Sequence, residues 1–197
     1  MMNRYVSYMN KSKEELLQIV KEYGIFHGSL AREWLMYEYL PSLFGRTLFV
    51  GVNSYTKFYS QLTPEPTLFE TIDIDDDRGR LGGSEYKHMV GNFNELDVTE
   101  HQYDNICLFG IHGYTGFNIY NDKVIEDLIY ADKLLSKNGT LLWGPTPEID
   151  VVFEGTHMWY EKFIDEMVEY FQTELNYDIL QYITEWPDNV VCWMKRP

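Results

Sequence analysis

RTLFVGVNSYTKFYSQLTPEPTLFETIDIDDD, residues Arg46 to Asp77, holds two apolar runs separated by a polar segment. A first apolar run, Thr47 to Gly51, ends in glycine and passes into a polar turn with Asn53, Ser54 and Thr56. A second apolar run, Leu68 to Ile74, carries an acid, Asp73, at its end. Short apolar runs without alternation suit strands buried on both faces, as in a parallel sheet. Strand, turn, strand and carboxylate in this order is the layout of a nucleoside-binding α/β half. Most of the glycines that usually accompany that layout are missing here.

Outward from this stretch the chain keeps alternating. Upstream, Ser12 and Glu15 form a capping box for a helix whose apolar face is Leu16, Leu17, Val20 and Tyr23. Leu30, Trp34, Tyr37 and Leu40 recur at helical spacing in a second helix, Ser29 to Leu40, which Pro41 ends. These two helices predict an N-terminal helical cap over residues 1–45, with an α/β domain over 46–197. Downstream, Tyr86–Val90, Asn105–Phe109 and Thr140–Trp143 read as three further strands. Asn121 caps a helix with Val124, Ile125, Leu128 and Leu135 on its inner face, and Asn138-Gly139 turns the chain into the fifth strand. A long helix follows over about Met158 to Thr173, with Trp159, Phe163, Met167 and Phe171 inward. Tyr177–Thr184 and Asn189–Met194, joined by a tight turn, predict an antiparallel hairpin. The expected architecture is a three-layer, Rossmann-like α/β fold of seven strands, mostly parallel. Sixteen residues separate Gly51 from Leu68 and eleven separate Ile74 from Tyr86, so the helices there must be stunted or replaced by loops.

Composition narrows the function classes. The 197 residues suit one domain, and 45% hydrophobic with 16% aromatic content excludes disorder. No apolar run approaches the ~20 residues that span a bilayer, and the first residues lack a secretory core, so the expectation is a soluble, cytoplasmic protein. Cys107 and Cys192 each sit in an apolar run and read as buried thiols. Net charge is −15, with eleven acids against one lysine, Lys162, between Glu148 and Asp188. Such a surface repels a polyanion, which argues against nucleic acid and favours a small molecule or a glycan as partner.

Five apolar strands with crossovers, a long helix and a terminal hairpin resemble the class I S-adenosylmethionine-dependent methyltransferase family. The resemblance covers about Arg46 to Pro197. Phe49-Val50-Gly51-Val52-Asn53-Ser54-Tyr55 stands in place of that family's acid-x-Gly-x-Gly-x-Gly motif, with Phe49 for the acid, Asn53 for the second glycine and Tyr55 for the third. Tyr103 to Leu108 is similar to the fourth-strand motif, and Leu134 to Leu142 to the approach to the fifth strand. The resemblance implies S-adenosylmethionine as cofactor. It implies contacts from Gly51, Asn53 and Tyr55 in the turn and from Phe109 at the fourth strand. It places Asp73 on the ribose hydroxyls, Asn92 at the adenine, and Thr56 or Lys57 at the methionine carboxylate.

Phe109 to Asn118 holds three glycines and reads as a loop at the methyl acceptor. His112 within it has a pKa range suited to a general base. Tyr114, Trp143 and His157 are the candidates for binding the substrate. The acids Asp75, Asp76 and Asp77 are the right donors for a divalent cation, but no second ligand set accompanies them, and the reading assigns no metal site. The expectation is O-methylation of a polar small molecule or carbohydrate hydroxyl. A silent methyltransferase-like subunit and an NAD-dependent oxidoreductase stay open as alternatives.

Overall fold

In a computed structural model of the protein, residues 40–51, 59–60, 62–74, 87–97, 100–114, 122–147, 169–185 and 189–195 are described. The strands are β1 (Thr47–Val50), β2 (Phe69–Asp73), β3 (Lys87–Val90), β4 (Tyr103–Tyr114), β5 (Leu135–Pro147), β6 (Asp178–Glu185) and β7 (Asn189–Lys195). One helix, α1 (Asp122–Leu134), joins β4 to β5. The described strands form one seven-stranded sheet in the order β3-β2-β1-β4-β5-β7-β6. The five strands from β3 to β5 are parallel neighbours. β7 inserts antiparallel between β5 and β6, as the terminal hairpin predicts.

β1 lies in the middle of the five parallel strands, and all four of its residues are buried. Because side chains alternate across a strand, each face of the sheet collects its own layer. Leu48 and Val50 join Ile72, Ile106, Leu108, Leu141 and Trp143 on one face, covered by Leu128, Ala131 and Leu134 of α1 and by Phe171. Phe49 points the other way, its ring 5.5 Å from Tyr59 and 5.9 Å from Phe69. Tyr59, Ser60 and Leu62, within the short first connection, are helical. Leu40 and Leu43, at the end of the expected cap, are buried, and Pro41 falls inside a short 3-10 turn, Leu40–Ser42. The rest of that cap, and most of the long helix before Glu169, lie outside the described residues.

The amino end of the sheet is tied by polar groups. Arg46 donates to Glu70 Oε1 through Nε at 2.9 Å and holds it with its second nitrogen at 2.7 Å. The Tyr103 hydroxyl donates to Glu70 Oε2 at 2.9 Å, and the Arg46 guanidinium lies 4.7 Å over the Tyr103 ring. A carboxylate this buried is tolerated because it is paired and hydrogen-bonded. Between β4 and β5 the register skips from Tyr103↔Leu135 to Asn105↔Thr140, and the extra residues hold Asn138 at φ 63°. Gly139 is required there, since a Cβ would come within 2.6 Å of the Leu135 side chain. The predicted Asn-Gly turn is thus present, as an irregularity inside a longer β5.

One expectation is corrected. The glycine-rich segment after Phe109 is not a loop throughout: β4 runs on to Tyr114, pairing Gly113 with Thr146 and Tyr114 with Pro147. The cost of glycine in a strand is met by this extra pairing with an equally long β5. β3 covers Lys87–Val90 of the expected Tyr86–Val90, and Tyr86 lies outside the described residues.

Candidate functional site

The carboxyl ends of β1, β2 and β3 lie level, because Val50 pairs with Ile72 and Asp73 with Val90. Each chain leaves the sheet at that level. Gly51, at φ 80°, donates its N–H to Ile72 O at 3.0 Å. That left-handed backbone suits glycine and lets the chain turn immediately over the strand end. Gly91 follows β3 at φ 150° and donates to Asp73 O at 2.8 Å. The chain then passes Asn92 into a 3-10 turn, Phe93–Glu95.

Above these ends is a cavity of about 370 Å³. Its polar lining includes Asp73, Asn92 and Asp127, and its apolar lining Val50, Ile72, Ile74 and Phe93. The size suits a nucleoside-scale ligand. The described lining carries two carboxylates, Asp73 and Asp127. α1 supplies the side wall. Tyr130 packs edge-on against Phe93 with ring centres 5.3 Å apart and donates its hydroxyl to Leu96 O. Burial, with Asp97 nearby, pushes the Tyr130 hydroxyl up, which keeps it a neutral donor.

Of the residues expected from sequence, Gly51, Asp73 and Asn92 come together around this cavity. Phe109, His112 and Tyr114 lie on the extension of β4, beyond the level where Val50 pairs with Leu108, with only their backbone described. Trp143 is elsewhere. It is fully buried in the core, 5.9 Å from the Phe171 ring, and is a packing residue rather than a wall of the cavity. Asn53, Tyr55, Thr56, Lys57 and His157 lie outside the described residues, as do Asp75, Asp76 and Asp77. Among the described residues, no group of three or more His, Cys, Asp or Glu side chains gathers as a metal site.

Sequence reasoning missed Ile74, Phe93 and Asp127. Ile74 is 68% exposed although apolar, and it borders the cavity. Asp127 is only 4% exposed. Its signal was available: Asp127, Ala131 and Leu134 fall on one stripe of α1, so an acid interrupts the buried face of an amphipathic helix.

No known family's sequence profile matches the chain, and no curated protein matches it in sequence. Solved structures do. The N-methyltransferase NodS from Bradyrhizobium japonicum WM9, in complex with S-adenosyl-L-homocysteine, is similar at TM-score 0.61 and 14% identity, over 96% of this chain and 98% of that one. An S-adenosylmethionine-dependent methyltransferase from Mesorhizobium loti is similar at TM-score 0.58 and 12% identity, over 84% of this chain and 98% of that one. The fibrillarin pre-rRNA processing protein of Methanococcus jannaschii gives TM-score 0.56 and 13% identity, over 77% of this chain and 66% of that one.

Proposed function

The chain has the fold of the class I S-adenosylmethionine-dependent methyltransferases, and from it we propose that the protein is such an enzyme, methylating a hydroxyl of a polar small molecule or carbohydrate. The observation that carries this reading is the cavity at the carboxyl ends of β1, β2 and β3, with the Asp73 carboxylate at the end of β2. Ligands of open α/β sheets bind outside these strand ends.

S-adenosylmethionine, when bound, supplies a methyl group already activated on a sulfonium. The protein's own work is then alignment and removal of the acceptor's proton. Asp73 would accept hydrogen bonds from the ribose hydroxyls, Gly51 would let the backbone approach closely, and Asn92 would meet the base. Val50, Ile72 and Phe93 give the apolar surface that excludes water. Asn53, Tyr55, Thr56, Lys57 and Phe109 would supply the remaining contacts to the cofactor. His112 takes the proton of the acceptor hydroxyl, and Tyr114 and His157 bind the acceptor. An uncharged or polar acceptor is favoured over RNA because net charge is −15.

Titration calorimetry with S-adenosylhomocysteine and, separately, NAD tests the cofactor assignment. Micromolar binding of the first alone is expected, and selective binding of NAD would sink it. His112→Ala should spare cofactor affinity and slow turnover about 10²-fold or more, as for loss of a general base. Unchanged turnover removes His112 from that role.

A further inference from the structure

We infer that Tyr130 is a positioning residue for the cofactor: its hydrogen bond to Leu96 O holds the segment after β3 in the shape that walls the cavity before any ligand arrives. The inference rests on the cofactor reading above.

Gly91, Asn92 and Phe93 line the cavity, and they belong to a segment that has left the sheet. Its internal backbone hydrogen bonds, Glu95 to Asn92 O and Leu96 to Phe93 O, are those of a single 3-10 turn, which holds weakly by itself. Among the described residues, two hydrogen bonds reach the segment from outside. Gly91 donates to Asp73 O where the segment begins, and Tyr130 donates to Leu96 O where it ends. Phe93 and Leu96 also pack on the core, but apolar contact is non-directional and leaves the turn free to slide. The Tyr130 hydroxyl supplies the direction, and its ring meets Phe93 edge-on.

The far side of this hold is rigid. Leu128, Ala131 and Leu134 of α1 are buried in the same core. α1 joins β4 to β5, so the wall beside β3 is braced from across β1. Tyr130 is not among the described lining residues and acts through Asn92 and Phe93. A segment that orders itself only as the ligand binds lowers the apparent affinity by the fraction of time it is competent. A segment already in place avoids that cost.

Tyr130→Phe removes the hydroxyl and keeps the ring. By titration calorimetry the variant, shown by thermal melting to be folded, should bind S-adenosylhomocysteine about fivefold or more weakly than the wild type. A tyrosine with a merely structural role would lower the melting temperature and leave the affinity of the folded protein alone. Hydrogen exchange reads the position itself. In the wild type, the Glu95 and Leu96 amides should be protected without ligand and gain less than about threefold on binding. In the variant they should exchange at least about tenfold faster without ligand, and S-adenosylhomocysteine should restore most of the protection. A variant affinity within about twofold of the wild type overturns the inference and leaves the cofactor reading standing. So do wild-type Glu95 and Leu96 amides that become protected only on binding, a result that needs no variant. A wild type that binds no S-adenosylhomocysteine overturns both.

Discussion

Asp73 and Trp143 show what a single residue's sequence setting can reveal. Both end an apolar run, and both were expected at the site. Asp73 is half-buried at the cavity, where a charged group stays solvated or partnered, whereas Trp143 is drawn fully into the core. The carboxylate could be placed from sequence because few other positions in a buried strand tolerate it. The indole could not, since an aromatic at a strand end serves packing and ligand equally well. Asp73→Ala is expected to weaken S-adenosylhomocysteine binding by at least about tenfold, the loss of one or two charge-assisted hydrogen bonds, read by calorimetry. Trp143→Ala should cost about 3–5 kcal/mol of stability in denaturant unfolding, as expected for emptying so large a buried site. Cys107 is a third residue whose setting was legible. It is fully buried, and burial pushes its thiol up, so it should resist thiol reagents in the native protein and react only on unfolding.

Among elements, the short apolar strands and the terminal hairpin were readable because burial on both faces leaves a run of β-branched, aromatic and leucine residues. The extents of β4 and β5 were not, because glycine and proline in 109–114 and 144–147 speak for turns locally while long-range pairing overrides them. The polar tie at the amino end was likewise hidden, since it joins Arg46, Glu70 and Tyr103 across three strands. Glu70→Gln should lower stability by about 2–3 kcal/mol, leaving Arg46 without its charge partner. It should leave cofactor affinity unchanged, because the cavity is at the other end of the strands. The same tie makes a pH prediction. Burial first, then the Glu70 carboxylate, raises the Tyr103 hydroxyl above its ordinary value of 10.0. In the unfolded chain the phenol ionises near that value, while in the folded protein it stays protonated. Stability held below pH about 10 is therefore lost as pH rises beyond it. Tyr130 and Tyr170 are raised too and add to the loss. Melting temperature should fall above pH about 10, and Tyr103→Phe should make that fall shallower.

At the scale of the whole molecule, strand order is the strongest determinant. The sequence order of runs predicted a parallel sheet with a terminal hairpin, and the observed order, with β7 inserted between β5 and β6, adds what a linear reading could not specify. The site then follows from topology, since parallel strands ending level leave a crevice at their carboxyl ends. What erodes is the glycine motif, in which only Gly51 retains both its residue type and a left-handed turn. This crevice is the proposed seat of S-adenosylmethionine. A crystal structure grown with saturating S-adenosylhomocysteine tests it most directly. A nucleoside is expected over the ends of β1, β2 and β3, with its ribose hydroxyls on Asp73. The ligand bound elsewhere, or the crevice empty at saturating ligand, would contradict it.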